Sequence, residues 1–197
     1  MNARLVAGTG LLVGLSMLAC VAQAQEKRGE PEECRGGVEK ALPWIGRAAS
    51  GYVEQRDCFS CHHQAMSVLA WTSAARAGLG DFSAMIQEQA EFTESSLFAA
   101  IDAYRAGKGE GGGATRAGYA LWTLEMAGWK PDATTEAVVE FLLKRDEKSP
   151  FWKSSSKRPP TEASDFTTTY LALRGIQAFG TAEQQRRATA KLERCRA

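Results

Sequence analysis

The chemistry-bearing residues are concentrated in one run, RDCFSCHHQAM, where both histidines of the chain, His62 and His63, follow two of its five cysteines, Cys58 and Cys61. Cys58, Phe59, Ser60, Cys61 and His62 make C-x-x-C-H. Two residues between the thiols let both reach the vinyl groups of one porphyrin on a single turn, and the adjacent imidazole then projects over the iron. The pattern predicts covalent haem c, with Cys58 and Cys61 as attachment points and His62 as the proximal iron ligand. His63 neighbours His62 and Met66 lies one turn further along the same helix, so neither reaches the opposite face of the iron. Met85 and Met126 are the candidates for the distal position, with a vacant sixth position as the alternative. Core gap-filling is the plainer role for a methionine.

Three other readings use the same residues. A C-x-x-C pair at a helix start has a lowered thiol pKa and suits a redox disulfide, although a βαβ frame is missing from the sequence. Zinc is a second alternative; ligands this close in sequence give poor tetrahedral geometry, so Cys34 or Cys195 would have to join them. The third is one structural disulfide with no chemistry.

The chain has 197 residues, 24 Lys and Arg against 23 Asp and Glu, and 44% hydrophobic residues. That is ordinary globular composition, and a formal charge of +1 gives no reason to expect nucleic acid as a partner. Arg4 followed by the apolar run Leu5 to Ala22 and the small-residue pattern Ala22, Gln23, Ala24 reads as a signal peptide over residues 1–24. Periplasmic or secreted localisation is expected, in an oxidising compartment where a close thiol pair becomes a disulfide, a metal site or a cofactor attachment. A membrane enters only if this N-terminus is retained or lipidated at Cys20.

Residues 25–37 read as a linker, and residues 38–197 as one helical domain. The first helix is expected around Ala41 to Val53 with Pro43 early in it; others run from Ser60 to Ala77, Asp81 to Ala106, Thr115 to Ala127, Thr134 to Leu143, Asp165 to Phe179 and Thr181 onward. Gly78, Gly107, Gly128 and Gly180 stand at C-cap places, and Thr181 with Gln184 forms a capping box. The amphipathic pattern has no stop signal at KLERCRA, which predicts C-terminal truncation. Three segments, AMSVLAWTSAARAG, ATRAGYALWTLEMAG and TTTYLALRGIQAFG, superimpose when their glycines are matched, at spacings near those of a helix-pair repeat. Their small residues predict one closely packed inner layer, with the intervening helices outside. Counting back from each glycine puts the C-x-x-C-H run, the glycine-rich stretch Gly107 to Ala114 and Asp165 on the same edge of that layer. The long connection after Lys144 is expected to fold over this edge, anchored by Trp152.

On these residues the chain resembles the squalene cyclase and protein prenyltransferase group. Its segment VVEFLLKRDEKSPFW, Val138 to Trp152, is similar to that group's QW repeat, with Arg145 or Asp146 in place of the Gln and no Gly before Trp152. The resemblance implies an all-α, α/α toroid fold with inner and outer rings, here partial. Cyclases of this group carry an acidic segment whose central Asp protonates a polyene; in EASDFTTTYLAL that alignment puts Glu162 and Asp165 on two acids and Ser164 on the proton donor. A serine cannot donate that proton, and Asp165 reads first as a helix N-cap. No histidine follows His63 to complete the prenyltransferase zinc site. The expectation is an exported c-type haem protein in electron transfer or redox sensing, not an enzyme, with a redox partner protein or a small apolar ligand. The alternative is a terpene-cyclase-like enzyme, or an apolar-ligand-binding relic of one, whose C-x-x-C is a structural disulfide or zinc site.

Overall fold

The computed structural model describes residues 31–155 and 163–196. The expected signal peptide, Cys20 and Glu162 lie outside them, as does the side chain of Cys195. The chain divides into two units, Met1–Ala41 and Leu42–Ala197. Among the described residues all regular structure is helical, as expected.

Helix α1 spans Pro31–Val53, so the last part of the expected linker is helical and Pro43 stands well inside the helix instead of in its first turn. The reason lies in the start: Pro31 at the first position lacks only an N–H that would be unbonded anyway, and Glu32 and Glu33 suit the positive end of the helix dipole. In the first unit Arg35 and Glu39 pair across one turn at 3.1 Å.

In the second unit a π-helical turn, Cys61–Ala65, leads into α2 (Met66–Arg76), replacing the uninterrupted helix expected from Ser60. There the Met66 N–H donates to the carbonyl of Cys61, five residues back, instead of four. Next come α3 (Ser83–Ala99) and the short α4 (Ile101–Arg105), separated by a break at Ala100. Then follow α5 (Gly113–Met126), α6 (Ala133–Lys144), α7 (Asp165–Phe179) and α8 (Ala182–Arg196).

The helices alternate between two layers. α5 lies between the π turn with α2 on one side and α7 on the other, while α6 packs against α3, α4 and α8. The three segments that superimpose in sequence are thus neighbours in one layer. Their closest seam is α5 on α7, and glycine makes it. A Cβ on Gly118 would lie 2.8 Å from the Cβ of Leu171, and one on Gly175 would lie 2.6 Å from a methyl of Leu121. Leu121, Leu124, Val138, Leu142, Leu171 and Ile176 are fully or almost fully buried around this seam and the layer behind it. A second apolar cluster gathers Leu42, Ala49, Val68, Trp71 and Ala74, with Met85 and Met126 packed on it.

Helix ends follow the sequence signals with two corrections. Gly78 and Gly128 adopt left-handed backbone (φ 70° and 74°), and Leu79 and Trp129 donate back to Ala74 and Leu124, the expected glycine-terminated ends. Gly180 does not: its φ is −76° and its ψ 147°, because the chain must run straight from α7 into the next cap. That cap is the expected box, with Thr181 N–H donating to Gln184 Oε1 at 2.9 Å and Gln184 N–H to Thr181 Oγ1 at 3.3 Å. The second correction concerns Asp165. The N-cap of α7 is Ser164, whose hydroxyl accepts from the Thr167 N–H at 3.3 Å. Asp165 stands one residue inside the helix and accepts the Ser154 N–H at 2.7 Å, tying the long connection to α7.

Trp152 anchors that connection, as expected. It is fully buried, its indole N–H donates to the Leu142 carbonyl at 2.6 Å, and the Lys191 ammonium sits 4.4 Å from its ring centroid. Lys191 is itself buried and donates to the Arg145 and Asp146 carbonyls.

The α5–α7 seam has no room for another side chain. Gly118→Val is expected to cost about 1–3 kcal/mol or more, the usual effect of overpacking, and to lower the Tm in thermal unfolding followed by circular dichroism. An unchanged Tm would show that the two helices are not in this contact.

Candidate functional site

The chain leaves α1 through a turn and enters an extended stretch at Ser60 (φ −127°, ψ 126°) before the π turn begins at Cys61. Three side chains fix this stretch. The Phe59 N–H donates to Ser96 Oγ on α3 at 2.9 Å, and the Ser60 N–H to Gln64 Oε1 at 2.8 Å. Gln64 Nε2 donates in turn to Gln89 Oε1 on α3 at 3.1 Å. Gln64 and Gln89 are fully buried and Ser96 nearly so. Both amides between the two cysteines are therefore held by side chains, and the dipeptide is bolted to α3.

The result is asymmetric. Cys58 is exposed and Cys61 is buried, yet both line one cavity of about 390 Å³ together with His62, Gly111, Gly112 and Arg116. Cys58 Sγ lies 3.3 Å from the Tyr52 hydroxyl. Partial burial, followed by the contact with Cys58, pushes the Tyr52 phenol up to about 12, so it stays protonated at neutral pH and is available as a donor to sulfur. His62 and His63 part company. His62 is exposed at the cavity, whereas His63 stacks on Tyr52 with centroids 4.4 Å apart and makes a 3.1 Å hydrogen bond through Nδ1 with the Ser60 hydroxyl. Burial, and then the neighbouring His62, hold the His63 imidazole below its ordinary pKa, which favours the neutral ring.

The opposite wall is the glycine-rich stretch. Gly112 (φ 90°) and Gly113 (φ 54°) turn the chain tightly into α5. Glu110 on the same stretch accepts from the buried Tyr104 hydroxyl at 2.9 Å and from Arg116 at 2.9 Å. Arg116 also reaches Ser96 Oγ at 3.4 Å, so the cavity walls share one hydrogen-bonded network.

No family model, curated protein or solved structure matches the chain. The chemistry therefore rests on these residues alone.

The structure brings Cys58, Cys61 and His62 together on one cavity and keeps the expected methionines away from it. Met85 and Met126 pack on the second apolar cluster, and Met66 packs on the first. Among the described residues no group of three or more His, Cys, Asp or Glu is gathered to hold a metal ion. The glycine-rich stretch, the C-x-x-C-H run and the start of α7 share one edge, as the repeat register predicts: Thr115 and Thr168 are hydrogen-bonded at 2.7 Å, and Thr115 donates to Ser154 at 3.5 Å.

Sequence reasoning missed Tyr52, Gln64, Gln89, Ser96 and Arg116. Gln89 had a signal, since it falls in the α3 stripe with Ile86, Ala90, Thr93 and Leu97, where a polar residue is an anomaly. Tyr52 and Arg116 had none, because only the fold carries the end of α1 and the first turn of α5 to the cysteines.

Two outcomes are expected. Gln64→Ala leaves the part-buried Ser60 N–H and the buried Gln89 carboxamide without their partner and costs about 1–3 kcal/mol in denaturant unfolding, against a few tenths for an exposed glutamine such as Gln55. Alkylation of the reduced, cofactor-free protein followed by peptide mapping labels Cys58 well before Cys61, as their exposure dictates; equal labelling would contradict the geometry.

Proposed function

We propose that this chain is an exported c-type haem protein, built on a partial squalene-cyclase-like helical scaffold and serving electron transfer or redox sensing. The observation that carries it is the convergence of Cys58, Cys61 and His62 on one cavity. Two thiols three residues apart and an imidazole next to the second are the donor set that haem c takes. The lining suits this group: both sulfurs border the cavity, the dipeptide between them is fixed, and His62 is exposed at the same cavity.

In this assignment Cys58 and Cys61 would hold the haem through their sulfurs and His62 would ligate its iron. Bound haem supplies one-electron chemistry at its iron. The Tyr52 hydroxyl lies 3.3 Å from Cys58 Sγ, and the amide clamp would keep both sulfurs in place. Among the described residues no methionine lines the cavity; Met85 and Met126 pack on the second apolar cluster. The alternation of helices between two layers and the shared edge of the inner helices support the toroid-like scaffold, and the N-terminal pattern of residues 1–24 supports export. No described helix is long and apolar enough to cross a membrane. The cyclase alternative finds less support: Ser164, on the proton donor's place, uses its hydroxyl to cap α7, and Asp165 is exposed and bonded to the Ser154 amide.

The test is production of the full chain with a cytochrome c maturation system, followed by a haem-stained denaturing gel and intact mass. One covalent macrocycle is expected on the wild type and none on Cys58→Ala/Cys61→Ala. His62→Ala should keep covalent colour but change the absorption spectrum of the iron. A colourless polypeptide of unmodified mass, in cells that load a control cytochrome, overturns the proposal.

A further inference from the structure

Arg116 stands in the first turn of α5 and borders the same cavity as Cys58, Cys61 and His62. Its side chain is only 16% exposed. One terminal nitrogen, Nη2, serves both Glu110 Oε1 at 2.9 Å and Ser96 Oγ at 3.4 Å, while Nε is buried and meets no acceptor among the described residues. A guanidinium has five N–H donors in one plane, matched to the two oxygens of a carboxylate, so this side chain retains capacity for an acid after Glu110 is served. It is also fixed in place. Ser96 Oγ accepts from both Arg116 and the Phe59 N–H, and so links the guanidinium directly to the dipeptide between the two sulfurs. Glu110 cannot swing across to take the remaining donor, because its other oxygen is held by the buried Tyr104 hydroxyl. A molecule tethered at the sulfurs therefore meets a positioned cation across the cavity.

We infer that Arg116 is the carboxylate-recognition point of this cavity, binding an acid group of the molecule carried at Cys58 and Cys61. The inference rests on the haem proposal for the identity of that molecule, and on that footing the acid is a propionate of the porphyrin. Glu110 and Ser96 are then positioning residues that aim the guanidinium.

The test compares ferric haem with its dimethyl ester, which keeps the macrocycle and iron but removes both acids. Each is titrated into the reduced apo wild type, Arg116→Gln and Arg116→Lys, followed by absorbance, with circular dichroism to verify folding. The diacid is expected to bind the wild type at least tenfold more tightly than the ester; Arg116→Gln should bring the diacid down to the ester's affinity, and Arg116→Lys should retain most of the difference. Equal affinity of diacid and ester for the wild type, binding of neither, or a difference that survives in Arg116→Gln overturns the inference. The wild-type comparison needs no variant to fold. Failure of the haem proposal reads differently: the maturation experiment leaves the polypeptide without a thioether-linked macrocycle even if these titrations still discriminate the acids.

Discussion

Two backbone N–H groups, those of Phe59 and Ser60, decide the geometry of this protein's chemistry. They lie between the cysteines, where the chain is neither in α1 nor yet in the π turn, so no helical carbonyl is there to accept them. A buried amide without a partner costs about 1–3 kcal/mol, and here the acceptors come from side chains, Ser96 and Gln64. Because Ser96 and Gln89 both belong to α3, satisfying these amides also fixes the distance between the cysteine run and a helix of the other layer. The position of the sulfurs is a consequence of hydrogen-bond satisfaction, and it does not require sulfur chemistry to hold it.

The second constraint is steric and acts at longer range. Gly118 and Gly175 let α5 and α7 approach until the side chains of Leu171 and Leu121 rest on backbone. Those helices begin at the edge that holds Gly112 and Ser164, so their packing sets where the glycine-rich stretch and the long connection meet the cysteine run. Trp152 then locks the connection from the other side, its indole on the Leu142 carbonyl and its ring under Lys191. The edge is rigid because three different kinds of contact agree on it: a glycine seam, a buried indole and the hydroxyl pair Thr115–Thr168.

Much of this was legible in the residues. Helical periodicity gave the elements, and the small residues of α2, α5 and α7 anticipated their contacts with one another. What was not legible was decided by competition between nearby groups. Ser164 and Asp165 are both good caps, and only the position of the Ser154 amide decides that the aspartate serves the connection and the serine serves α7. Gly180 looks like Gly78 and Gly128, yet the capping box that follows it one residue later leaves no room for a left-handed turn. The π turn at Cys61 was hidden because Gln64 reads as an ordinary exposed helix residue until Gln89 is placed against it. In the candidate site the motif itself was visible, whereas its supporting residues are scattered along the chain from Tyr52 to Arg116 and share no pattern with it.

The Arg116–Glu110 pair is the part of the site that folding alone does not account for. An ion pair taken largely out of water gains Coulomb energy and loses hydration, and replacing such a pair with apolar residues of similar size is often neutral or stabilising. At 16% and 20% side-chain exposure the two groups pay most of that desolvation, while Arg116 Nε goes without an acceptor. Neither residue is needed to cap α5 or to close the α5–α7 seam, where glycine and leucine suffice. Such a charged pair, beside two cysteines and a histidine and tied to them through a single serine, is what the proposed carboxylate site needs.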